Sequence, residues 1–464
     1  MQARKATLEA ILNFCAVLVA VIVLGAPTAL RAVDGSPLLF TGDPYYYMRA
    51  AELVGEYGAV RYDLLSVSAT GTSEAFAALL AGLSRIFEVN ILLVVLPIFL
   101  GVASVLLFGN LLRIYGLSLK ERVACLLLLV ASPPFISTFS IGSPTAVAFF
   151  LTILGLSLVR LKKKISFLGL PVLLAVPFFG AFAGLAALVL LLALFMLERR
   201  AIIAFAFFCV LLTFFLSLFM YPVHMDTPMV NEYFSELGSY FGIGIFNIVL
   251  AFVGAVFLWP RLDHRTPVLF GLLSMLALAI VESTLLVYLI FVLAFFGGVG
   301  YFGLWSMRWQ LKQIRFLSLL ILACGLLFSS AISVSYLTAA LPDQSVHESC
   351  VWLSSQHSGV VLTHTGLSSF VQAIGKKKVL VERSDDSKVF NDSQIMFYSR
   401  NLEKTTKLFK AYNITHILID RRMRNGLVWS SDEDGLLFLF RNNDTFKMVY
   451  QKEGVEVWTV LSYT

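Results

Sequence analysis

Residues 40–53 read FTGDPYYYMRAAEL and follow an apolar run at 8–31. That run is long enough to cross a bilayer as a helix. The stretch after it is the most polar and aromatic of the first hundred residues, with Asp43, then Tyr45, Tyr46 and Tyr47 in succession, then Arg49. Pro44 fixes its own φ and suits the first turn of a helix. The spacing therefore predicts a helix from Pro44 to about Tyr57, with Asp43 at its N-cap. A greasy span that opens into an acidic, aromatic segment places chemistry at the mouth of a membrane helix.

The rest of the chain fits that frame. Of 464 residues, 58% are hydrophobic and 14% charged, and the mean hydropathy is +0.84. A soluble chain of this length could not bury so much apolar surface. The expected fold class is a polytopic α-helical membrane protein. Its apolar runs lie at 8–31, 90–112, 122–141, 143–160, 165–181, 184–197, 201–221, 242–259, 266–282, 284–304 and 316–338. By the twenty-residue rule that is about 11 transmembrane helices, with the proline-broken pair at 165–197 also readable as a re-entrant hairpin. The first run has no small-residue cleavage pattern, so it reads as a retained helix.

The basic residues fix the orientation. Arg4 and Lys5 precede the first run; Arg113, Lys120 and Arg122 separate the second and third. Arg160 and Lys162–Lys164 follow the fourth, Arg199 and Arg200 the sixth, Arg261 and Arg265 the eighth, and Arg308, Lys312 and Arg315 the tenth. All fall on one side if every run crosses, which predicts a cytoplasmic N-terminus and an outer C-terminus. The net charge of +6 is thus a topology signal and gives no reason to expect nucleic acid. Short loops point to a prokaryotic cell membrane. Five cysteines show neither a disulfide framework nor zinc spacing.

The outer face then receives loop 32–89, loop 222–241 and the tail, giving a membrane domain at 1–341 and a small extracytoplasmic α/β domain at 342–464. In the tail, GVVLTH, KKVLVE, ITHILIDR, LLFLFR and EVWTVL read as strands, and SSFVQAIG and LEKTTKLFKAY as helices. Asn391, Asn413 and Asn443 head N-x-S/T triplets, which suit an outer surface.

Asp43 has two readings: a helix cap, or a ligand holding Mg²⁺ or Mn²⁺ over a lipid phosphate. Tyr46 or Tyr47 would line the cleft, and Arg49 would grip a phosphate or anchor in the headgroups. In the second loop Glu232 and Glu236 are four apart and share a face if helical. Like charges on one face cost stability unless they meet a cation or water. His224 and Asp226 could join a metal site, and Glu282 ends the ninth run on the outer side.

These features together resemble the catalytic subunit of oligosaccharyltransferase, a GT-C membrane glycosyltransferase. GDPYYYMR resembles the family's first-loop motif, which implies that Asp43 is catalytic and holds a divalent metal. MVNEYFSELGSYFGIGIF resembles the fifth-loop motif, which makes Glu232 the counterpart of the family's catalytic glutamate, with Glu236 as the alternative. GVVLTHTGLSSFVQAIGKKKVLVE resembles the strand, recognition motif, helix and strand of the family's outer domain. The family's Trp-Trp-Asp-Tyr-Gly is replaced by His364, Thr365 and Gly366, which puts His364 at the acceptor position. The second acidic motif is replaced by Ser143 and Pro144, and no arginine falls between Leu285 and Leu304 to meet a donor pyrophosphate. The resemblance implies a divergent metal-dependent transferase. It would move a glycan from a polyprenyl-linked donor to an acceptor, polypeptide asparagine among the candidates, at the outer face. The alternative is a catalytically degenerate paralogue that binds polyprenyl lipid or assembles with an active enzyme.

Overall fold

A computed structural model describes residues 2–58, 74–161, 163–220, 233–234, 242–261, 265–382 and 387–461. They fall into two compact units: Met1–Leu30, Thr72–Phe76 and Ile91–Thr338 form the first, and Arg31–Gly71, Ala77–Asn90 and Ala339–Thr464 the second.

In the first unit every apolar run is helical among the described residues. Six helices have the length and hydropathy to cross a membrane: Ile11–Val33, Val89–Ile114, Ala181–Glu198, Ala201–Phe219, Ser283–Ser306 and Lys312–Thr338. A seventh span results if Leu119–Val130 and Pro133–Ser140 count as one; the two meet at 62°. The bend has a local cause. Pro133 and Pro134 lack amide hydrogens, and Ser132 before them is extended (φ −83°, ψ 133°), as a residue preceding proline prefers. Pro144–Arg160, Ile165–Phe179, Ile245–Leu258 and Thr266–Val281 are apolar but shorter. Among the described residues the eleven expected runs thus resolve into six or seven helices of full spanning length and four shorter ones, and a fifth short apolar helix, Glu74–Leu83, falls within the predicted loop 32–89. The chain is an integral membrane protein.

Small residues set the packing in this unit. A Cβ on Gly254, in helix Ile245–Leu258, would lie 1.8 Å from the carbonyl oxygen of Phe296 in helix Leu286–Ser306. One on Gly300 would lie 2.3 Å from the Leu250 carbonyl, and one on Gly298 would lie 2.3 Å from Cys125 Sγ. Backbones approach this closely only where the side chain is a hydrogen, the usual device for packing helices that gain nothing from expelling lipid. Several basic residues of the charge pattern are tied into ion pairs. Arg160 donates to Glu198 at 2.5 Å, and its guanidinium stands 4.3 Å from the Tyr115 ring centre. Arg122 donates to Glu9 at 2.8 Å.

The second unit carries a five-stranded sheet of order β2-β1-β3-β5-β4, with β1 Val360–Leu362, β2 Lys378–Val379, β3 Ile414–Ile419, β4 Phe446–Lys452 and β5 Val455–Val460. β1 is parallel to β2 and β3, and β5 is antiparallel to β3 and β4. The predicted helices appear as Thr365–Ala373 and Leu402–Tyr412, the latter ended by Asn413 in the left-handed region at φ 53°. One expectation is corrected: LLFLFR is not a strand but the helix Gly435–Leu439. A short unbroken apolar run has no period to separate a buried strand from a buried helix. Gly435 starts that helix at φ 47°, where a Cβ would meet the Phe397 carbonyl at 2.1 Å. The edge strand is β4 instead. Its residues are largely exposed, so it has no apolar alternation to announce it. Glu453 and Gly454, at φ 47° and 85°, make its two-residue turn, as a type I′ hairpin requires. Phe440 stacks on Trp458 at 4.2 Å and meets Phe446 edge-on, closing the core beneath the hairpin.

Candidate active site

The sheet of the second unit has a place where ligands are expected. β2 lies on one side of β1 and β3 on the other, so the strand order reverses at β1 and β3. In parallel α/β sheets such a reversal leaves a crevice beyond the carboxyl ends of the strands. Thr363 and His364 follow β1 there, and Asp420 follows β3. Thr363 Oγ1 donates to the Leu418 carbonyl at 3.0 Å, stitching the two ends together. His364 is the N-cap of helix Thr365–Ala373, and its Nδ1 accepts the Gly366 N–H at 3.1 Å. Burial pushes the His364 imidazole below its ordinary pKa, while the Asp420 carboxylate works against that shift. The ring is therefore neutral at pH 7, with its proton on Nε2. Asp420 is buried and accepts the Met423 N–H at 2.9 Å; burial raises its pKa.

The opening motif packs on the helix that His364 caps. It forms helix Gly42–Tyr57. A Cβ on Gly42 would touch Ser369 Oγ at 3.3 Å, the Tyr45 ring meets Phe370 edge-on at 5.0 Å, and Lys376 pairs with Glu52 at 2.9 Å. The contacts advance together along both helices, so the two run in the same direction. Asp43 is half-buried in the first turn and is not the cap that the sequence predicts. Thr41 holds that position at φ 66°, without a side-chain capping bond. The Thr41 N–H donates to the Leu341 carbonyl at 2.6 Å, which anchors the chain one residue earlier than proline spacing suggests. An acid in a first turn still gains from the helix dipole.

Of the predicted aromatic wall, Tyr47 is buried and Tyr46 half-buried, with their rings edge-to-face at 5.1 Å; Arg49 is half-buried. The residue that anchors the segment is Tyr45, whose hydroxyl donates to the Leu39 carbonyl at 3.2 Å and whose pKa is raised by burial. Arg31 has a part no sequence reading assigned. It is buried, and donates to the carbonyls of Pro37 and Ala340 at 2.7 Å each and of Pro342 at 2.5 Å. The available signal was its charge: an arginine at the far end of the first run from Arg4 and Lys5 departs from the one-sided pattern of basic residues and so needs another reason to be there.

Glu232 and Glu236 lie outside the described residues, as do His224 and Asp226. Among the described residues no three His, Cys, Asp or Glu side chains stand together to hold a metal ion. Of the predicted acidic ligands, Asp43 is the one that falls among the described residues. One carboxylate is a thin protein site, although Mg²⁺ is commonly held by one or two carboxylates together with substrate phosphates and water.

The chain thus joins a unit of apolar membrane helices to an α/β unit with a crevice beyond its parallel strand ends. No family model matches the sequence, and no curated protein matches it. Solved structures do. The chain is similar over 91% of its length, and 70% of the other chain, to the Archaeoglobus fulgidus oligosaccharyltransferase tethered with an acceptor peptide containing the NVT sequon (TM-score 0.64, 12% identity). It is similar over 98%, and 74% of the other chain, to AglB of the same organism in complex with an inhibitory peptide and a dolichol-phosphate (TM-score 0.65, 11% identity). ArnT from Cupriavidus metallidurans bound to undecaprenyl phosphate is matched over 97% of both chains (TM-score 0.51, 12% identity). The chain has the GT-C fold.

Proposed function

We propose that the protein is a metal-dependent GT-C glycosyltransferase that takes a glycan from a polyprenyl-linked donor at the outer face of a prokaryotic cell membrane. The supporting observation is the likeness in fold to two kinds of protein whose solved structures hold a polyprenyl phosphate. In such a transfer the acceptor atom bonds to the anomeric carbon while the bond from that carbon to the donor phosphate oxygen breaks. The phosphate leaves with the electron pair, and the acceptor proton passes to a base. Asp43 would hold Mg²⁺ or Mn²⁺, which when bound neutralises charge on the leaving phosphate. Arg49 would grip a phosphate oxygen, and Tyr46 and Tyr47 would wall the donor. Glu232 would orient the acceptor and take its proton, with Glu236 the alternative. His364, as a neutral imidazole with Nε2–H to donate, would meet the acceptor, a polypeptide among the candidates.

One observation favours a second reading. Ser143 and Pro144 open the helix Pro144–Arg160 where the resemblance expects an acid, and no three-residue metal group stands among the described residues. The second reading is a non-catalytic paralogue that binds polyprenyl lipid or assembles with an active transferase. The experiment is transfer by the purified protein in nanodiscs, using polyprenyl-phosphate and polyprenyl-pyrophosphate sugars with Mg²⁺ or Mn²⁺ and with chelator. Release of the lipid phosphate that stops on chelation supports the enzyme. Tight binding of polyprenyl phosphate with no release under any condition selects the paralogue.

A further inference from the structure

In the first unit, two arginines share one acid where several helices meet. Pro144–Arg160 and Ala181–Glu198 end there, and Ala201–Met220 begins there after a connection of only Arg199 and Arg200. Arg160 Nε donates to Glu198 Oε1 at 2.5 Å, and Arg200 Nε lies 3.2 Å from Glu198 Oε2. Arg200 Nη1 donates to the Arg160 carbonyl at 3.0 Å. That carbonyl is in the last turn of its helix, where the dipole favours a cation. The single Glu198 carboxylate balances one guanidinium and leaves the charge of the other uncompensated. Arg160 Nη1 has no hydrogen-bond partner among the described residues. Arg199 adds a third positive charge. Its side chain is exposed and its backbone is left-handed at φ 47°, a helix end where glycine is the ordinary residue.

The members of the cluster differ in what can reach them. Arg160 is closed off: its side chain is 12% exposed, and the Tyr115 ring lies over its guanidinium. Arg200 is the accessible member, with a side chain 41% exposed. Glu198 and the Arg160 carbonyl hold its Nε and Nη1, while Nη2 has no partner among the described residues. A guanidinium fixed along one side, with two N–H groups still to give, suits a phosphate oxygen. Position then narrows the source of that phosphate. The cluster joins Ala181–Glu198 to Ala201–Phe219, both long and apolar enough to cross a membrane, so it lies at the depth of lipid headgroups. Leu161, Ile165, Phe167 and Leu168, on the segment that leaves Arg160, are exposed apolar side chains. A soluble phosphate would leave them facing water; acyl chains would cover them. An anion that brings its own acyl chains is a phospholipid. Basic pockets between helices on the positively charged face of a membrane protein take such headgroups.

We propose that Arg200, with the charges of Arg160 and Arg199 behind it, binds the phosphate of an anionic phospholipid from the surrounding leaflet. The site uses no residue given a role in transfer and stands at the opposite end of helix Pro144–Arg160 from Ser143. The test titrates the full chain with phosphatidylglycerol, and with phosphatidylcholine of the same acyl chains, by native mass spectrometry. Arg200→Gln leaves the Arg160–Glu198 pair in place and should weaken phosphatidylglycerol binding about fivefold, the worth of one arginine at an anionic surface, while Lys312→Gln should change it less than about twofold. Lys312 is an exposed charge at the start of another helix, so it reports general attraction to the lipid surface. Phenylglyoxal, which modifies accessible arginines, gives a measurement on the unmutated chain in case Arg200→Gln does not fold. In phosphatidylglycerol nanodiscs Arg200 should react at least about threefold more slowly than in phosphatidylcholine nanodiscs, with the exposed Arg308 reacting alike in both. The proposal is overturned if phosphatidylcholine binds as tightly, if inorganic phosphate displaces the lipid, or if Arg200→Gln costs no more than Lys312→Gln. It is also overturned if Arg200 reacts equally in the two kinds of nanodisc.

Discussion

At the scale of the residue, Asp43 and His364 separate structure from chemistry in different ways. Asp43 stands inside the first turn and is not the N-cap, and there its charge gains from the helix dipole, about 0.3–1 kcal/mol. Asp43→Asn keeps the size and removes that charge. The expected outcome is a melting temperature within a few degrees of the unmutated protein and turnover reduced by at least about a hundredfold, a loss of about 2.7 kcal/mol of transition-state stabilisation. Retained cation-dependent turnover in Asp43→Asn would remove Asp43 from the metal role. His364 makes a pH prediction. Its pKa is lower in the folded state than in the unfolded chain, so the unfolded chain binds the proton first on acidification. Its stabilising contribution is full above the ordinary histidine pKa near 6.5 and is lost as pH falls through that value towards the folded one. His347 and His416 are shifted the same way by burial, while the buried Asp420, shifted upward, acts in the opposite sense at lower pH. Thermal melts should show the second unit losing stability between pH 7 and pH 5. His364→Asn, which keeps a side-chain cap, should flatten the slope without removing it; an unchanged slope would mean that His364 is not buried in the folded state.

At the scale of the element, what could be read in advance was what carries a strong local signal. A run of about twenty apolar residues needs no period to declare a membrane helix, and each one proved helical. The helix Leu402–Tyr412 was legible for the same reason: its amphipathic pattern lies in the local sequence. The helix Gly435–Leu439 was not, because a few apolar residues fit either state, and β4 was not, because an exposed edge strand buries too little to alternate. The site was legible to a similar depth. GDPYYYMR marked the helix at 42–57, but the importance of Tyr45 over its neighbours depends on Phe370, and that of Arg31 on Ala340 and Pro342, some three hundred residues away. No local pattern encodes such pairs. The same holds for Gly254, an ordinary residue of an apolar run until the Phe296 carbonyl is seen beside it. Gly254→Val should force the two helices apart and cost about 1–3 kcal/mol or more, read as a lower unfolding temperature in nanodiscs. Gly271→Ala is the control, since its Cβ would meet only Ala193 at an ordinary 3.5 Å and should change little.

At the scale of the whole molecule, the open question of orientation can be tested with the protein's own chemistry as background. The charge pattern predicts Arg113 inside and the tail outside. Arg113 and Lys404 are both exposed, so a cysteine at either position meets solvent on whichever side it lies. The native cysteines should stay silent towards a membrane-impermeant maleimide. Cys125 and Cys350 are buried, and burial pushes the Cys350 thiol up to about 12, leaving almost no thiolate to react. Cys15, Cys209 and Cys324 lie within apolar helices of spanning length, where a charged reagent does not enter. Lys404→Cys should therefore label in intact cells, and Arg113→Cys only after permeabilisation, with the unmutated chain unlabelled in both. The reverse pattern would place the tail, and with it Asp43 and His364, in the cytoplasm, and a donor on the outer face could then reach neither. Labelling of both positions from outside would break the alternation of the charge clusters and require that one of the shorter helices, such as Pro144–Arg160 or Ile245–Leu258, enter the membrane without crossing it. The short helices thus turn the labelling result into a count of crossings as well as a direction, because each one that fails to cross reverses the side of everything after it.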